Sequence, residues 1–168
     1  MIDVRRAEAG DRPFLIEMAR LACTLADRPL PAASDPDVLA VLPGEADGAL
    51  IACDTHQQPV GAAWWYVHEP PLLRDADRRA LPELVMAVAA HARGRGIGAR
   101  LIAALAHEAA ARHHRSLTLN VHLLNPAVRL YVRTGFRVAG AGRGWYGVAM
   151  SRPLPAAPSE SRLSPPRR

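Results

Sequence analysis

From Arg93 to Arg100 the chain reads RGRGIGAR, with glycine at 94, 96 and 98 and arginine at 93, 95 and 100. Glycine lets backbone N–H groups come close to an anion. Where such a turn opens a helix, the unpaired first-turn donors and the positive end of the helix dipole favour negative charge. Arg93, Arg95 and Arg100 add guanidinium groups that can fork onto phosphate oxygens. The stretch reads as a phosphate cradle; the alternative is an ordinary glycine-rich strand-to-helix turn with solvated arginines.

The kind of phosphate is narrowed by what the chain lacks. A P-loop requires a lysine after its last glycine, and all 21 basic residues here are arginine. Gly94, Gly96 and Ala99 do fit the dinucleotide pattern G-x-G-x-x-G/A. That pattern expects an acidic residue about 20 positions on, at the end of the next strand, and "SLTLNV" has none. Metal chemistry finds little support: His107, His113 and His114 lack i, i+4 pairing, and neither H-E-x-x-H nor C-x-x-C occurs.

The elements that must position this turn follow from periodicity. "IDVRRA" reads as a strand and "GDRPFLIEMARLA" as a helix with Asp11 at its start and Pro13 in its first turn. "SDPDVLAVLPG" predicts a short helix capped by Ser34. "GALIACD" and "PVGAAWWYVHE" form a hairpin around "THQQ". In its second strand Trp64 and Tyr66 share one face and Trp65 takes the other, so one face is expected in the core and the other in an acceptor pocket. "ELVMAVAA" is apolar enough for the centre of a sheet covered on both sides. The glycine turn then opens a helix with Ile97, Leu101, Ala104, Leu105 and Ala109 as its buried stripe. The strand "SLTLNV" follows, then the helix "NPAVRLYVRTG" capped by Asn125, and a closing strand pair, "FRVAG" and "WYGVAMS".

The 168 residues suit one domain, expected over 1–152, with a Pro/Ser/Arg-rich, disordered tail at 153–168. Of the formal charge of +5, a net +3 lies from Ser151 onward, where four arginines face one glutamate. The near-neutral body argues against a nucleic-acid partner. Two cysteines are too few for a disulfide framework. "MIDVRRAEAG" has no apolar leader, and no apolar run approaches the ~18 residues of a membrane span. A reducing cytoplasm, with no membrane partner, is the expected setting. The alanine- and arginine-rich composition points to a GC-rich bacterial coding sequence.

Arg93-x-x-Gly96-x-Gly98 resembles the acyl-CoA pyrophosphate loop of the GCN5-related N-acetyltransferase (GNAT) superfamily. "ELVMAV" upstream resembles its fourth strand, and "NPAVRLYVRTGFRVAG" its Asn, Leu-Tyr and Gly-Phe signature; order and spacing agree from about Gly48 to Met150. The resemblance implies an α/β (α+β) fold whose mixed, mostly antiparallel sheet of six to seven strands carries helices on both faces and splays between strands 4 and 5. It implies acetyl-CoA as co-substrate, held by backbone amides around Gly94, Arg95, Gly96, Gly98 and Ala99, with Arg93 and Asn125 also at the coenzyme. The amide near Val88 would hold the thioester carbonyl. It also implies an amine acceptor, small molecule or peptide, and is compatible with a homodimer.

Acetyl transfer to an amine needs a bound thioester, a base, a partner for the oxyanion and a proton for the departing thiolate. The Val88 N–H is the candidate oxyanion donor. Tyr131 resembles the family's tyrosine that protonates the thiolate. Glu83 is the first candidate base, ahead of His68 and Glu69, and Glu69, Asp75 and Asp77 are candidates for attracting a cationic amine. Two other readings stay open: acyl-CoA binding without catalysis, as a sensor or interaction module, and dinucleotide binding.

Overall fold

The structure, a computed structural model, describes residues 2–24, 28–44 and 47–155. The expected tail therefore lies outside the described residues from 156 onward. Seven strands form one sheet: β1 (Asp3–Arg6), β2 (Ala49–Cys53), β3 (Pro59–Tyr66), β4 (Glu83–Val88), β5 (Ser116–His122), β6 (Arg137–Ala141) and β7 (Gly147–Pro153), in the order β1-β2-β3-β4-β5-β7-β6. Every neighbouring pair is antiparallel except β4–β5, which is parallel and in register only at Glu83 and Thr118. The expected mixed sheet and its splay are both present.

That single point of pairing is locked by Thr118, whose N–H and Oγ1 both donate to the Pro82 carbonyl at 2.9 Å. Beyond it the two strands diverge, so a cleft opens toward the Val88 end of β4.

Four helices cover the sheet: α1 (Arg12–Ala22), α2 (Pro36–Ala40), α3 (Ile97–Ala111) and α4 (Val128–Arg133). On one face α3 and α4 pack Leu101, Ile102, Leu105 and Tyr131 against Trp65, Leu84, Leu117 and Leu119. On the other, α1 and α2 pack Leu15, Met18 and Val38 against Ile51, Ala62, Trp64 and Ala87. β4 serves both layers by strand alternation, Leu84, Met86 and Val88 on one side and Val85 and Ala87 on the other.

Several local expectations need correction. Asp35, not Ser34, caps α2: its side chain accepts from the Asp37 N–H, and Pro36 occupies the first helical position. Asn125 accepts from the Ala127 N–H at 2.9 Å, but regular helix begins only at Val128. Trp64 and Trp65 are both buried, because β3 is central and covered on each side. Trp64 donates its indole N–H to Val41 under α1 and α2, and Trp65 meets the His114 ring edge-on at 5.6 Å beneath α3. Neither tryptophan lines an open pocket. β7 runs through Pro153, and the Leu154 N–H donates to Arg115.

Candidate active site

The glycine turn lies at the wide end of the cleft. Gly94 and Gly96 have φ of +76° and +75°, the left-handed region that L-residues adopt at a cost of ~1–2 kcal/mol. A Cβ at either position would meet nothing within 4 Å, so glycine is needed here for backbone direction and leaves open space above. Gly96 is the N-cap of α3, with no side-chain cap and no acidic residue in the first turn. Arg100 donates to the Gly96 carbonyl, and the N–H groups from Arg95 to Ala99 have no partner among the described residues. Such a row of free donors at the positive end of a fifteen-residue helix is an anion site. Arg95 and Arg100 are exposed beside it, while Arg93 turns back and donates Nε to the Val88 carbonyl, tying the loop to the end of β4.

Gly98 differs from its neighbours. A Cβ there would stand 2.8 Å from Leu130 of α4 and 3.4 Å from Met86 of β4, so its smallness serves helix packing.

The Val88 amide points into the cleft. Ala89 donates its N–H to Val60 of β3, and amides alternate sides along a strand, so the Val88 N–H faces the β5 side, where pairing has ended. Tyr131, on α4, is buried and edge-on to Phe136 at 5.8 Å. Its hydroxyl has no hydrogen-bond partner among the described residues, and burial pushes it up to about 12. It is neutral at physiological pH.

Glu83 stands at the closed end, five residues and ~16 Å along β4 from Val88. It is buried, and both carboxylate oxygens accept from Arg143 Nη1, at 2.7 and 2.9 Å. Arg143 comes from the β6–β7 turn. Its own N–H donates to Asn120 Oδ1 of β5 at 2.9 Å, and Gly142 is obligatory beside it because a Cβ would lie 2.2 Å from that oxygen. Burial opposes the Arg143 charge, but the Glu83 carboxylate outweighs it and holds the guanidinium above its ordinary range. Tyr66, the cross-strand partner of Glu83, has its phenol raised, first by burial and then by the Glu83 charge.

The structure thus brings Val88, Arg93 and the glycine turn together at one end of β4, sets Glu83 at the other, and buries Tyr131 in the core beneath α4. His68 turns Nδ1 to the Pro70 carbonyl at 3.0 Å, and Glu69 is exposed. Asp75 accepts from the Arg79 N–H, and Asp77 pairs with the Arg79 guanidinium at 3.9 Å, both exposed on the loop after β3. A groove of about 480 Å³, lined by residues including Arg6, Arg12, Asp47 and Glu108, lies at the far end of α3 and contains none of the expected site residues. Among the described residues, no three His, Cys, Asp or Glu form a metal-ligating group, and no helix is long and apolar enough to cross a membrane. Sequence reasoning missed Arg143. Its only sequence signal is an arginine set among Gly142, Gly144 and Gly147.

A family model described as an acetyltransferase (GNAT) domain matches residues 46–138. Among solved structures, a GCN5-related N-acetyltransferase from Kribbella flavida is 28% identical, over 91% of this chain and 98% of that one, with a TM-score of 0.66. A GNAT superfamily phosphinothricin acetyltransferase from Sinorhizobium meliloti, solved in complex with AcCoA, is 22% identical over 91% and 88% of the two chains, with a TM-score of 0.68. A ribosomal-protein-alanine N-acetyltransferase from Brucella melitensis is 24% identical over 90% and 99%, with a TM-score of 0.66. A search among curated protein sequences finds no match.

Proposed function

Because the chain belongs to the GNAT superfamily of acetyltransferases, we propose that it transfers an acetyl group from acetyl-CoA to a primary amine, on a small molecule or a protein, by direct attack in a ternary complex. The observation that carries this reading is the run of unpartnered amides from Arg95 to Ala99, set at the mouth of the β4–β5 splay. It fits a pyrophosphate, with open space over Gly94 and Gly96 and exposed guanidinium groups at Arg95 and Arg100. Bound acetyl-CoA supplies an activated thioester carbonyl. We place the activity in one domain, residues 1–152, with 153–168 as an appended tail.

Each step falls to a residue of this chain. The amides from Gly94 to Ala99 hold the coenzyme, and Arg93 fixes the loop to β4. The Val88 N–H donates to the carbonyl oxygen as charge develops there. Asn125 positions α4 through Ala127, and so sets Tyr131. As the C–N bond forms, Glu83 accepts the proton lost by the amine. Its distance from Val88 calls for a water relay. As the C–S bond breaks, Tyr131 gives its proton to the sulfur.

Thermal unfolding with and without acetyl-CoA tests this, on wild type and Gly96→Glu. A ligand that binds only the folded state, at ~100 times its dissociation constant, adds roughly 2.7 kcal/mol. Wild type should show a raised midpoint; the variant, with a carboxylate at the anion site, should fold and show none. A wild type that does not respond to acetyl-CoA or to other acyl-CoAs removes the reading.

A further inference from the structure

From their one point of pairing, Glu83 with Thr118, β4 and β5 run in the same direction. Four residues on, about 13 Å along each strand, His122 stands across the splay from Ala87, at the Val88 end. Leu117, Leu119 and Val121 of β5 pack under α3 and α4, so alternation turns His122 to the opposite face, the one that holds Val85, Ala87 and α1. The glycine turn opens α3 on the first face, which leaves the second to the acceptor. The β6–β7 turn walls that second face. Gly147 pairs with His122, and a Cβ there would run into the Arg143 carbonyl of the folded-back turn. The same turn sets the Tyr146 ring 5.4 Å from that of His122. The Leu123 N–H donates to the Tyr146 carbonyl at 3.0 Å, so Leu123, Leu124, Trp145 and Tyr146, all exposed, share one rim. Exposed apolar side chains grouped beside a cleft mark a contact surface. His122 Nδ1 accepts from the Leu124 N–H at 3.1 Å, so in the neutral ring the proton is on Nε2, which has no partner among the described residues.

We propose that this wall binds the acceptor, and that the acceptor is an α-amino amide, the group found at a peptide N-terminus, with a large apolar side chain. The side chain lies on Tyr146 and the neighbouring leucines, the carbonyl accepts from His122 Nε2, and the amine faces the thioester at Val88. This rests on the acetyl-transfer reading and names the acceptor class within it.

Protonation selects the same class. Glu83 is the one carboxylate on β4 and β5, ~16 Å along β4 from Val88 and paired with Arg143, and the wall at the Val88 end has none. An amine suited to this end arrives already unprotonated. An α-amine, ordinarily near 7.7–8.0, is about a tenth free at neutral pH, whereas an alkylamine near 10.4 is free in fewer than about one molecule in a thousand. The free amine attacks through its lone pair, and the proton it then sheds takes the water relay to Glu83. A charged or hydroxylated side chain would lose its water against this wall without gaining a partner. The single donor on His122 supplies orientation, as a few placed polar groups do in an otherwise apolar site.

The test compares phenylalaninamide, glycinamide and phenethylamine at equal free-amine concentration, with acetyl transfer read by release of the coenzyme thiol. Wild type should favour phenylalaninamide ~10-fold or more in kcat/KM, both over glycinamide and over phenethylamine, which has no carbonyl. In Tyr146→Ala, an exposed position whose truncation should leave the fold intact, the first ratio should fall toward one. In His122→Asn the side-chain oxygen can still accept from Leu124, but the Nε2 donor is gone. There the KM for phenylalaninamide should rise ~10-fold while that for phenethylamine and the midpoint shift with acetyl-CoA hold. A Phe-Gly-Gly tripeptide run beside the amide tells the source: its turnover points to peptide ends, turnover of the amide alone to a free metabolite, and either supports the class. A wild type that takes glycinamide as well as phenylalaninamide, a ratio that survives Tyr146→Ala, or a KM unmoved in His122→Asn overturns the proposal. Turnover of all three amines without preference sinks this acceptor class and leaves acetyl transfer standing. No response to any acyl-CoA removes the acetyl-transfer reading itself.

Discussion

The two ends of the β4–β5 cleft are built from different materials. At the Val88 end the working groups are main-chain amides, and they come from one stretch of twelve residues, Val88 to Ala99, that includes the end of β4 and the start of α3. At the Glu83 end they are side chains from Tyr66, Glu83, Asn120 and Arg143, brought together from four regions of the sequence. A backbone site has its donors left over from the helix itself, and it depends on side chains only where glycine is needed for φ. A side-chain site needs every partner present, because a buried charge that loses its partner is penalised. The first should therefore be damaged mainly in function, the second in function and stability together.

Tyr131→Phe offers the largest effect expected from a single hydroxyl. Its phenol has no partner to lose, so stability near neutral pH should change by less than ~0.5 kcal/mol. The rate should fall ~10²–10³-fold with the acetyl-CoA stabilisation intact. Burial raises this phenol to about 12, above the ordinary value near 10. The unfolded chain therefore releases the proton first as pH rises. Wild type should lose stability between about pH 10 and 12, by ~2–3 kcal/mol from this group, and the phenylalanine variant should lack that part of the decline. Alkaline unfolding curves of the two proteins check it. A variant that unfolds at neutral pH would mean that Tyr131 is only a packing residue.

Glu83→Gln probes the closed end. It leaves Arg143 without its carboxylate, and breaking a fully buried pair costs ~3–5 kcal/mol; with a third of Arg143 in solvent, ~1–3 kcal/mol is the expectation. Denaturant unfolding should show that loss, while the rise in midpoint with acetyl-CoA persists. A variant as stable as wild type would make the pair a surface contact and erase the contrast between the two ends.

The same contrast explains what could be read from the chain. The glycine turn was legible because its function is local: three glycines and a helix start imply free amides wherever the helix packs. The elements followed from periodicity, while the mixed sheet, its splay and the helices on both faces were implied by the likeness of motifs alone. Arg143 was not legible, since nothing within ten residues of it reveals that a tight turn will swing it onto a carboxylate sixty positions earlier. The tryptophan pair misled because alternation shows that two faces exist, not that both are covered. Ser34 and Asp35 are both good caps, and only Pro36, which must stand in the first helical turn, decides between them.

Gly98→Ala has the smallest expected effect and separates the three glycines most sharply. By motif all three look equivalent, yet Gly94 and Gly96 have positive φ with open space above them, whereas Gly98 is helical and faces Leu130 and Met86. The atoms a Cβ would meet are the ends of flexible side chains, at 2.8 Å from Leu130 and 3.4 Å from Met86, so modest repacking should absorb the methyl. The cost should stay near ~1 kcal/mol, at the low end of overpacking, partly offset by the better helix propensity of alanine. Acetyl-CoA should still raise the midpoint. In Gly96→Ala, by contrast, the left-handed conformation is itself disfavoured by ~1–2 kcal/mol, and the loop amides should lose their common direction. Thermal shifts of the two alanine variants, run side by side, decide the matter. Equal loss of the coenzyme response would mean that α3 must approach the ligand at Gly98 as closely as at Gly96, and that its packing against α4 is incidental.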